Sequence, residues 1–133
     1  MEKTIEEAKI EALAKHLGED KDEAERLIDR EDYLVLTDEE ADEKAKEYIK
    51  DSAWAFNASF LANFTDLPEE VFTAMQGKCE SSNDAILKLI ERSEGGLDRF
   101  IEEAISADGR GHFMSSYDGE EAEEGQFFIY RLN

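Results

Sequence analysis

The fold is decided near the end of the chain, by the stretches DGRGHFMSSYDGEE (residues 108–121) and FFIYR (residues 127–131). Four of the eight glycines lie between residues 109 and 125, and no helical period runs through the segment. Asp118-Gly119 is a strong turn dipeptide. We therefore predict two antiparallel strands, 111–117 and 126–131, with the acidic residues 120–125 lengthening their connection.

The second of these strands is apolar on both faces. Because side chains alternate along a strand, Phe128 and Tyr130 face one way and Phe127 and Ile129 the other. Such a strand is typical of a central position or of burial on both sides. The run 33–36, Tyr-Leu-Val-Leu, also has β character. It is expected as an extended connector or as a third strand.

The remainder of the chain has the pattern of amphipathic helices. Capping boxes at Thr4 with Glu7 and at Thr37 with Glu40 mark two helix starts, and Asp20 is placed to cap another. The apolar periodicity predicts about six helices. They cover roughly residues 4–17, 20–30, 38–56 (with 58–64 as a continuation or a short helix of its own), 68–77, 83–90 and 97–107.

The predicted fold class is α+β. We expect a mainly helical single domain, residues 1–133, with a small C-terminal antiparallel β-hairpin and the alternative third strand at 33–36. Its segments are an N-terminal helix pair (1–30), a helical body (33–107) and a β-hairpin segment (108–133). The residues expected in the core are Trp54, Phe56, Phe60, Phe64, Phe72, Phe100 and Ile129.

The charge is far from average. The chain has 35 acidic and 15 basic residues, a formal net charge of −20 in 133 residues. This charge argues against binding to nucleic acid or to an anionic membrane, because both are polyanions. A basic protein partner, a cation site and plain solubility all remain open.

The expected location is the cytoplasm. The single cysteine, Cys79, excludes an intramolecular disulfide and suits a reducing compartment. The first residues contain no apolar signal core, and no run reaches the roughly 20 apolar residues that a spanning helix needs.

The 108–121 segment supplies candidate metal ligands. Imidazole and carboxylates from Asp108, His112, Asp118 and Glu120 suit several divalent ions. Their spacing matches neither a His-Glu-x-x-His site nor a Ca²⁺ loop. The competing interpretation is structural: the aspartates cap turns, the glycines adopt positive φ, and His112 bonds to the backbone. Arg110 is expected to pair with one of the many acids.

Catalysis has little support in the sequence. No Gly-x-Ser-x-Gly elbow surrounds Ser115 or Ser116, and pairs of carboxylates are uninformative where acids are so abundant. We therefore predict no enzyme activity, no catalytic residue and no cofactor.

The distribution of the acidic residues is a better indication of function than these motifs are. Acidic residues spaced three or four apart recur about every 5–6 Å along one side of a helix, and phosphates along a duplex also come at a few ångströms. Such a surface can imitate nucleic acid for a basic groove, although Lys44, Lys46 and Lys50 dilute it. The predicted partner-binding residues are Glu39, Glu40, Glu43, Glu47, Glu120, Glu121, Glu123 and Glu124.

The C-terminal segment resembles a family of small acidic proteins of phages and other mobile elements. The matching residues are 108–112 (Asp-Gly-Arg-Gly-His), then Ser115 or Ser116 through Glu121, and the ending 128–133. The stretches beginning at Tyr33 and at Trp54 are similar to the same group. The resemblance covers about residues 33–133 and implies a phage or prophage origin and action inside a bacterial host cell. It assigns no functional residue.

The leading functional prediction is a phage-encoded acidic inhibitor. It would bind a basic surface of a host defence or nucleic-acid-handling complex, as an anti-CRISPR or anti-restriction protein does, with nucleic-acid mimicry as the mode of binding. One alternative is a metal-binding protein or metal-dependent enzyme that uses residues 108–121. Another is an accessory or structural phage protein. A monomer is expected, without membrane or direct nucleic-acid contact.

Overall fold

One small sheet accompanies a mainly helical chain in the computed structural model, which describes residues 3–133. The predicted α+β class is confirmed. Within the described residues the α-helices are α1 (Ile5–Leu17), α2 (Lys21–Asp29), α3 (Asp38–Asp51), α4 (Ala58–Thr65), α5 (Glu69–Gln76), α6 (Asn83–Glu91), α7 (Gly96–Asp108) and α8 (Arg110–Met114). The strands are β1 (Tyr33–Thr37), β2 (Ala122–Glu124) and β3 (Phe127–Arg131), and two 3-10 helices cover Ala53–Ala55 and Cys79–Ser82.

The first helix boundaries are set by local side-chain caps, as predicted. Thr4 Oγ1 accepts a hydrogen bond from the Glu7 backbone N–H at 3.1 Å, and Asp20 Oδ1 accepts one from the Glu23 N–H at 2.8 Å. Each bond satisfies an N–H group that has no partner inside its helix. Gly18 ends α1 in the left-handed region, with φ of 70°, where glycine has no Cβ to clash.

The three strands form one antiparallel sheet in the order β1–β3–β2. Val35 lies opposite Ile129 on one side of β3, and Ala122 lies opposite the same residue on the other. Two predictions are thereby confirmed: the apolar strand is central, and the run beginning at Tyr33 is a third strand.

The predicted strand over residues 111–117 is wrong. Residues 110–114 form the short helix α8, and the partner of β3 in the hairpin is β2. The hairpin turn is Gly125-Gln126, where Gly125 has φ of 62°, a conformation that glycine tolerates. The 118–119 turn instead joins α8 to β2. A strand at 111–117 is disfavoured because the helical turn buries Gly111, Phe113 and Met114 together.

The described residues form two compact units. Residues 3–45 and 108–133 make the sheet unit, and residues 46–107 make the helical unit. The single-domain organisation stays a prediction.

In the sheet unit, α1 and α2 pack on one face of the sheet. Leu13, Ala14 and Ala24 form a buried cluster with Val35, Phe127 and Ile129. The opposite face carries the alternate residues of the strands, since neighbours along a strand point to opposite sides. Among them Leu36 is 4% exposed and Tyr130 is fully buried. Of the core predictions for this unit, Ile129 is confirmed.

The helical unit is built around aromatic rings. The Phe100 ring centroid lies 5.1 Å from that of Phe56, 5.7 Å from that of Phe60 and 5.2 Å from that of Phe64. These separations lie in the range where tilted aromatic pairs attract. Burial of Phe64, Phe72 and Phe100 is confirmed. Trp54, Phe56 and Phe60 are only partly buried, because they lie at the margin of this unit's core.

The third helix ends earlier than predicted. It stops at Asp51 rather than near residue 56. The reason is Asn83, whose Nδ2 donates to the Lys50 carbonyl at 2.8 Å and whose Oδ1 accepts from the Trp54 N–H at 3.0 Å. In a continuing helix these two backbone groups would bond to each other. The inserted amide takes both, so the helix ends there.

Candidate functional site

The negative charge is unevenly divided between the two units. Residues 3–45 and 108–133 contain 22 acidic and 9 basic residues, a formal charge of −13. Residues 46–107 contain 12 acidic and 6 basic residues, a formal charge of −6. Any charge-driven contact is therefore expected to favour the sheet unit.

Three of the predicted partner-binding acids form a row along α3. Glu39, Glu43 and Glu47 are all exposed, and the spacing of four residues puts them about 6 Å apart along the helix. Within residues 3–133 none of the three forms an ion pair. We call this row the α3 stripe. Its carboxylates are open to solvent and to a partner.

Glu40, which follows Glu39 of the stripe, forms contacts within the fold. Its Oε1 accepts the Thr37 backbone N–H at 3.0 Å and lies 2.9 Å from Lys9 Nζ. The hydrogen bond from the Thr37 backbone N–H lowers the pKa of Glu40 most, and the hydrogen bond from Lys9 lowers it next. Its charge is partly neutralised within the fold.

The predicted acids of the 120–124 segment divide in the same way. Glu120 and Glu123 are exposed and form no ion pair in the described part of the chain. Glu124, with a side chain 22% exposed, lies 3.4 Å from Lys15. Glu121, 28% exposed, accepts hydrogen bonds from Arg110 and from the Tyr130 hydroxyl. The structure leaves five predicted acids unpaired and engages three.

Arg110 engages Glu121 together with two aspartates of α3. Its side chain is 10% exposed, and Nη1 lies 2.8 Å from Asp38 Oδ1 and 2.9 Å from Asp42 Oδ1. Nε donates to Glu121 Oε1 at 2.8 Å, and Cζ lies 4.6 Å from the centre of the Phe128 ring. We call these five residues the Arg110 hub. The prediction that Arg110 pairs with an acid is confirmed.

Two pKa values are shifted here, that of Arg110 in the hub and that of Tyr130, which donates a hydrogen bond to Glu121 of the hub. Burial acts to lower the pKa of Arg110, but the hydrogen bonds to Glu121 and Asp38 outweigh burial and raise it. The pKa of the Tyr130 phenol is raised by burial and then by its hydrogen bond to Glu121. The guanidinium thus stays charged and the phenol stays protonated near neutral pH.

Gly111 allows the hub to close. A Cβ atom at this position would lie 2.6 Å from the Gly119 carbonyl oxygen and 2.6 Å from the Glu120 carbonyl carbon. These are fixed backbone atoms that have little room to move. The first turn of α8 can therefore rest against residues 119–121 only because residue 111 has no side chain.

The candidate metal ligands do not form a site. Within residues 3–133 no three His, Cys, Asp or Glu side chains are grouped to hold a metal ion. Of the four predicted ligands, Asp118 accepts the Glu120 N–H at 3.0 Å and lies 2.8 Å from the Ser115 hydroxyl. The backbone bond from Glu120 and then the one from Ser115 lower the pKa of Asp118. This carboxylate closes a turn, as the structural interpretation expects.

No protein-family model, no curated protein and no solved structure matches this chain. The resemblance to phage proteins therefore stays a prediction.

The length and hydropathy of a helix decide whether it could cross a membrane. Among the described residues, no helix combines the length and the apolar character needed to cross a membrane.

Proposed function

We propose that this protein is a non-enzymatic inhibitor that binds a basic protein surface of a bacterial defence or nucleic-acid-handling complex. The observation that supports this most is the α3 stripe, formed by Glu39, Glu43 and Glu47 on exposed helix surface. A row of unpaired carboxylates is a good match for a groove lined with Lys and Arg.

The field of the stripe is strongest at its N-terminal end. With 100° between successive residues, Lys46 and Lys50 lie on the same side of α3 as the stripe, Lys46 between Glu43 and Glu47 and Lys50 beyond Glu47. Their ammonium groups offset part of the charge near Glu47. The partner contact is therefore centred on Glu39 and Glu43, in the part of α3 that belongs to the more acidic sheet unit.

The acids of the Arg110 hub are not assigned to the contact. Asp38, Asp42 and Glu121 already face a guanidinium, so a second cation would gain less from them. The predicted contact is thus narrowed to the α3 stripe together with Glu120 and Glu123.

The test is affinity capture from bacterial lysate at low salt, followed by mass spectrometry and binding kinetics on the captured partner. The variant Glu39→Gln/Glu43→Gln/Glu47→Gln removes the stripe. The matched control Glu80→Gln/Glu91→Gln/Glu102→Gln removes three exposed acids from the helical unit.

We expect the stripe variant to lower the association rate constant about tenfold and to weaken its salt dependence, because charge steers encounter. The control should change the rate by less than about twofold. Capture of no basic partner, or an equal effect of the two triple variants, would refute the proposal.

A further inference from the structure

The sheet has an open edge at β1. Among the described residues, β1 pairs with β3 on one side and with no strand on the other. The Leu132 N–H donates to the Asp32 carbonyl at 2.8 Å, so in the antiparallel register the bonded residues continue as Leu34 and Leu36. The N–H and C=O groups of Tyr33 and Val35 consequently point away from β3. Within residues 3–133 no hydrogen bond to them is observed.

The end of this edge is closed by a side chain. The Thr37 N–H, which would be the next outward donor, is taken by Glu40 Oε1 at 3.0 Å. The open template therefore comprises Tyr33 and Val35. Val35 is 4% exposed, so an added strand must displace the side chains that cover it. Unpaired backbone groups along a sheet edge are a template for pairing with another chain.

A groove of about 700 Å³ runs along the open edge. Its floor is β1, and its apolar wall includes Ile10 of α1 and Ile28 of α2. Leu34, which also lines it, is half-buried on the opposite face of the sheet. A strand added here would direct alternate side chains to these two faces.

The rim of the groove on the α1 and α2 side is acidic. Glu6, Glu25, Asp29 and Glu31 line it, and none of them forms an ion pair in the described part of the chain. Two bases also line the groove. Lys9 is held by Glu40 at 2.9 Å, and Lys44, which forms no ion pair in the described part of the chain, offsets one of the four acids. The rim is therefore suited to cationic side chains.

We propose that the open edge of β1 takes up an extended basic segment of a partner protein as an antiparallel fourth strand. The segment residues opposite Tyr33 and Val35 form hydrogen bonds to the backbone of those two residues. Their side chains point to the acidic rim, so these segment residues are Lys or Arg. The residues between them are apolar and lie beside Leu34. The sheet is antiparallel throughout, and an antiparallel addition continues it.

A second copy of this chain is a poor occupant of the groove. Pairing β1 with β1 would bring two acidic rims together, each belonging to a unit of charge −13, and like charges at an interface suppress pairing. The choice of a basic partner rests on the proposed function. The geometry of strand addition does not depend on the α3 stripe.

The test uses an acetylated, amidated peptide of alternating Lys and Val residues, titrated into the full chain by calorimetry. Two N-methylated isomers separate strand addition from simple charge attraction, since both keep every charge. Methylation of the backbone amide nitrogens of the Lys residues removes the N–H donors that face β1. Methylation of the backbone amide nitrogens of the Val residues leaves those donors intact.

We expect the Lys-methylated peptide to bind at least about tenfold more weakly than the parent, because backbone bonds supply the affinity of strand addition. The Val-methylated peptide should stay within about threefold of the parent. Amide exchange at Tyr33 and Val35 should slow on binding. Equal affinities of the two isomers, or no binding of the parent below millimolar concentration, would overturn the proposal.

Two protein variants test the acidic rim. Glu25→Gln/Asp29→Asn should weaken binding of the parent peptide about fivefold, and Glu19→Gln/Asp22→Asn, which changes exposed acids outside the groove, by less than about twofold. The inference is also overturned if sedimentation shows a dimer and the peptide dissociates it. If the peptide fails to bind while stripe-dependent capture persists, only this inference is lost and the proposed function stands.

Discussion

Replacing Arg110 by alanine is expected to lower the free energy of unfolding by about 3 kcal/mol. The largest part comes from Glu121, only 28% exposed, because a charge-assisted hydrogen bond is worth about 1.5 kcal/mol or more. Asp38 and Asp42 are 69% and 62% exposed, so each contributes about 0.5 kcal/mol. The contact with the Phe128 ring adds about 0.5 kcal/mol.

The assay is urea unfolding at neutral pH followed by far-UV circular dichroism. Tryptophan fluorescence is less suitable, because Trp54 belongs to the helical unit and Arg110 to the sheet unit. The variant Arg110→Lys keeps the charge but loses the planar fork that reaches several carboxylates. It should recover about half of the loss.

Lys15→Ala is the control for the removal of a cation. Its ammonium is 81% exposed and lies 3.4 Å from Glu124, so its loss should cost less than about 0.5 kcal/mol. If Arg110→Ala destabilises the protein no more than Lys15→Ala does, the hub is an ordinary surface ion pair and the reasoning fails.

Three further predictions concern other parts of the fold. Gly111→Ala should destabilise the protein by about 3 kcal/mol in urea unfolding, because its Cβ would meet the Gly119 carbonyl oxygen at 2.6 Å, and backbone must move. Stability should fall as the pH rises above about 10, the ordinary tyrosine pKa, because the raised pKa of Tyr130 lets the unfolded chain lose a proton that the folded chain keeps. Asn83→Ala should cost about 2 kcal/mol by leaving two backbone groups without partners, with Trp54 fluorescence as the readout.

Each of these has a matched control. Gly18→Ala, at φ of 70° with no atom of any described residue other than its chain neighbours within 4 Å of the new Cβ, should cost only about 1 kcal/mol. Tyr130→Phe should flatten the alkaline decline relative to the native chain. Asn63→Ala changes an exposed asparagine of α4 and should be nearly neutral. A Gly111→Ala variant as stable as the Gly18→Ala variant would contradict the packing argument. An unchanged dependence of stability on alkaline pH in Tyr130→Phe would contradict the linkage argument.

The parts of the fold that could be predicted from sequence are those set by neighbours along the chain. The capping boxes at Thr4 and Thr37 join groups three residues apart, so the sequence contains both partners. The apolar alternation of β3 likewise indicates a central strand before its neighbours are known.

The parts that could not be predicted depend on distant partners. α8 replaces the expected strand because Gly111 rests against backbone eight and nine residues away. β2 has no β-forming composition, and its pairing with β3 is set by the turn at Gly125. The end of α3 is set by Asn83, 33 residues from Lys50.

The same division applies to the candidate site. All eight predicted contact acids look alike in the sequence, yet Glu40, Glu121 and Glu124 are engaged within the fold. Arg110 was expected to pair with an acid, but its partner Asp38 lies 72 residues earlier. Spacing along a helix identified the α3 stripe, since its members belong to one element.

The segment for which the sequence predicts a resemblance to phage proteins contributes to the fold more than to the proposed partner contact. Its glycine at 111 permits a close backbone approach, its arginine at 110 gathers carboxylates, and its aspartate at 118 closes a turn. In this chain these three residues contribute to the sheet unit, and none of them is assigned to partner binding. Under the two proposals made above, partner choice lies in residues that the hub does not use, which are the α3 stripe, Glu120, Glu123 and the rim beside β1. Variation at Glu39 or Glu25 should therefore change binding and leave stability nearly unchanged, whereas variation at Arg110 should do the reverse.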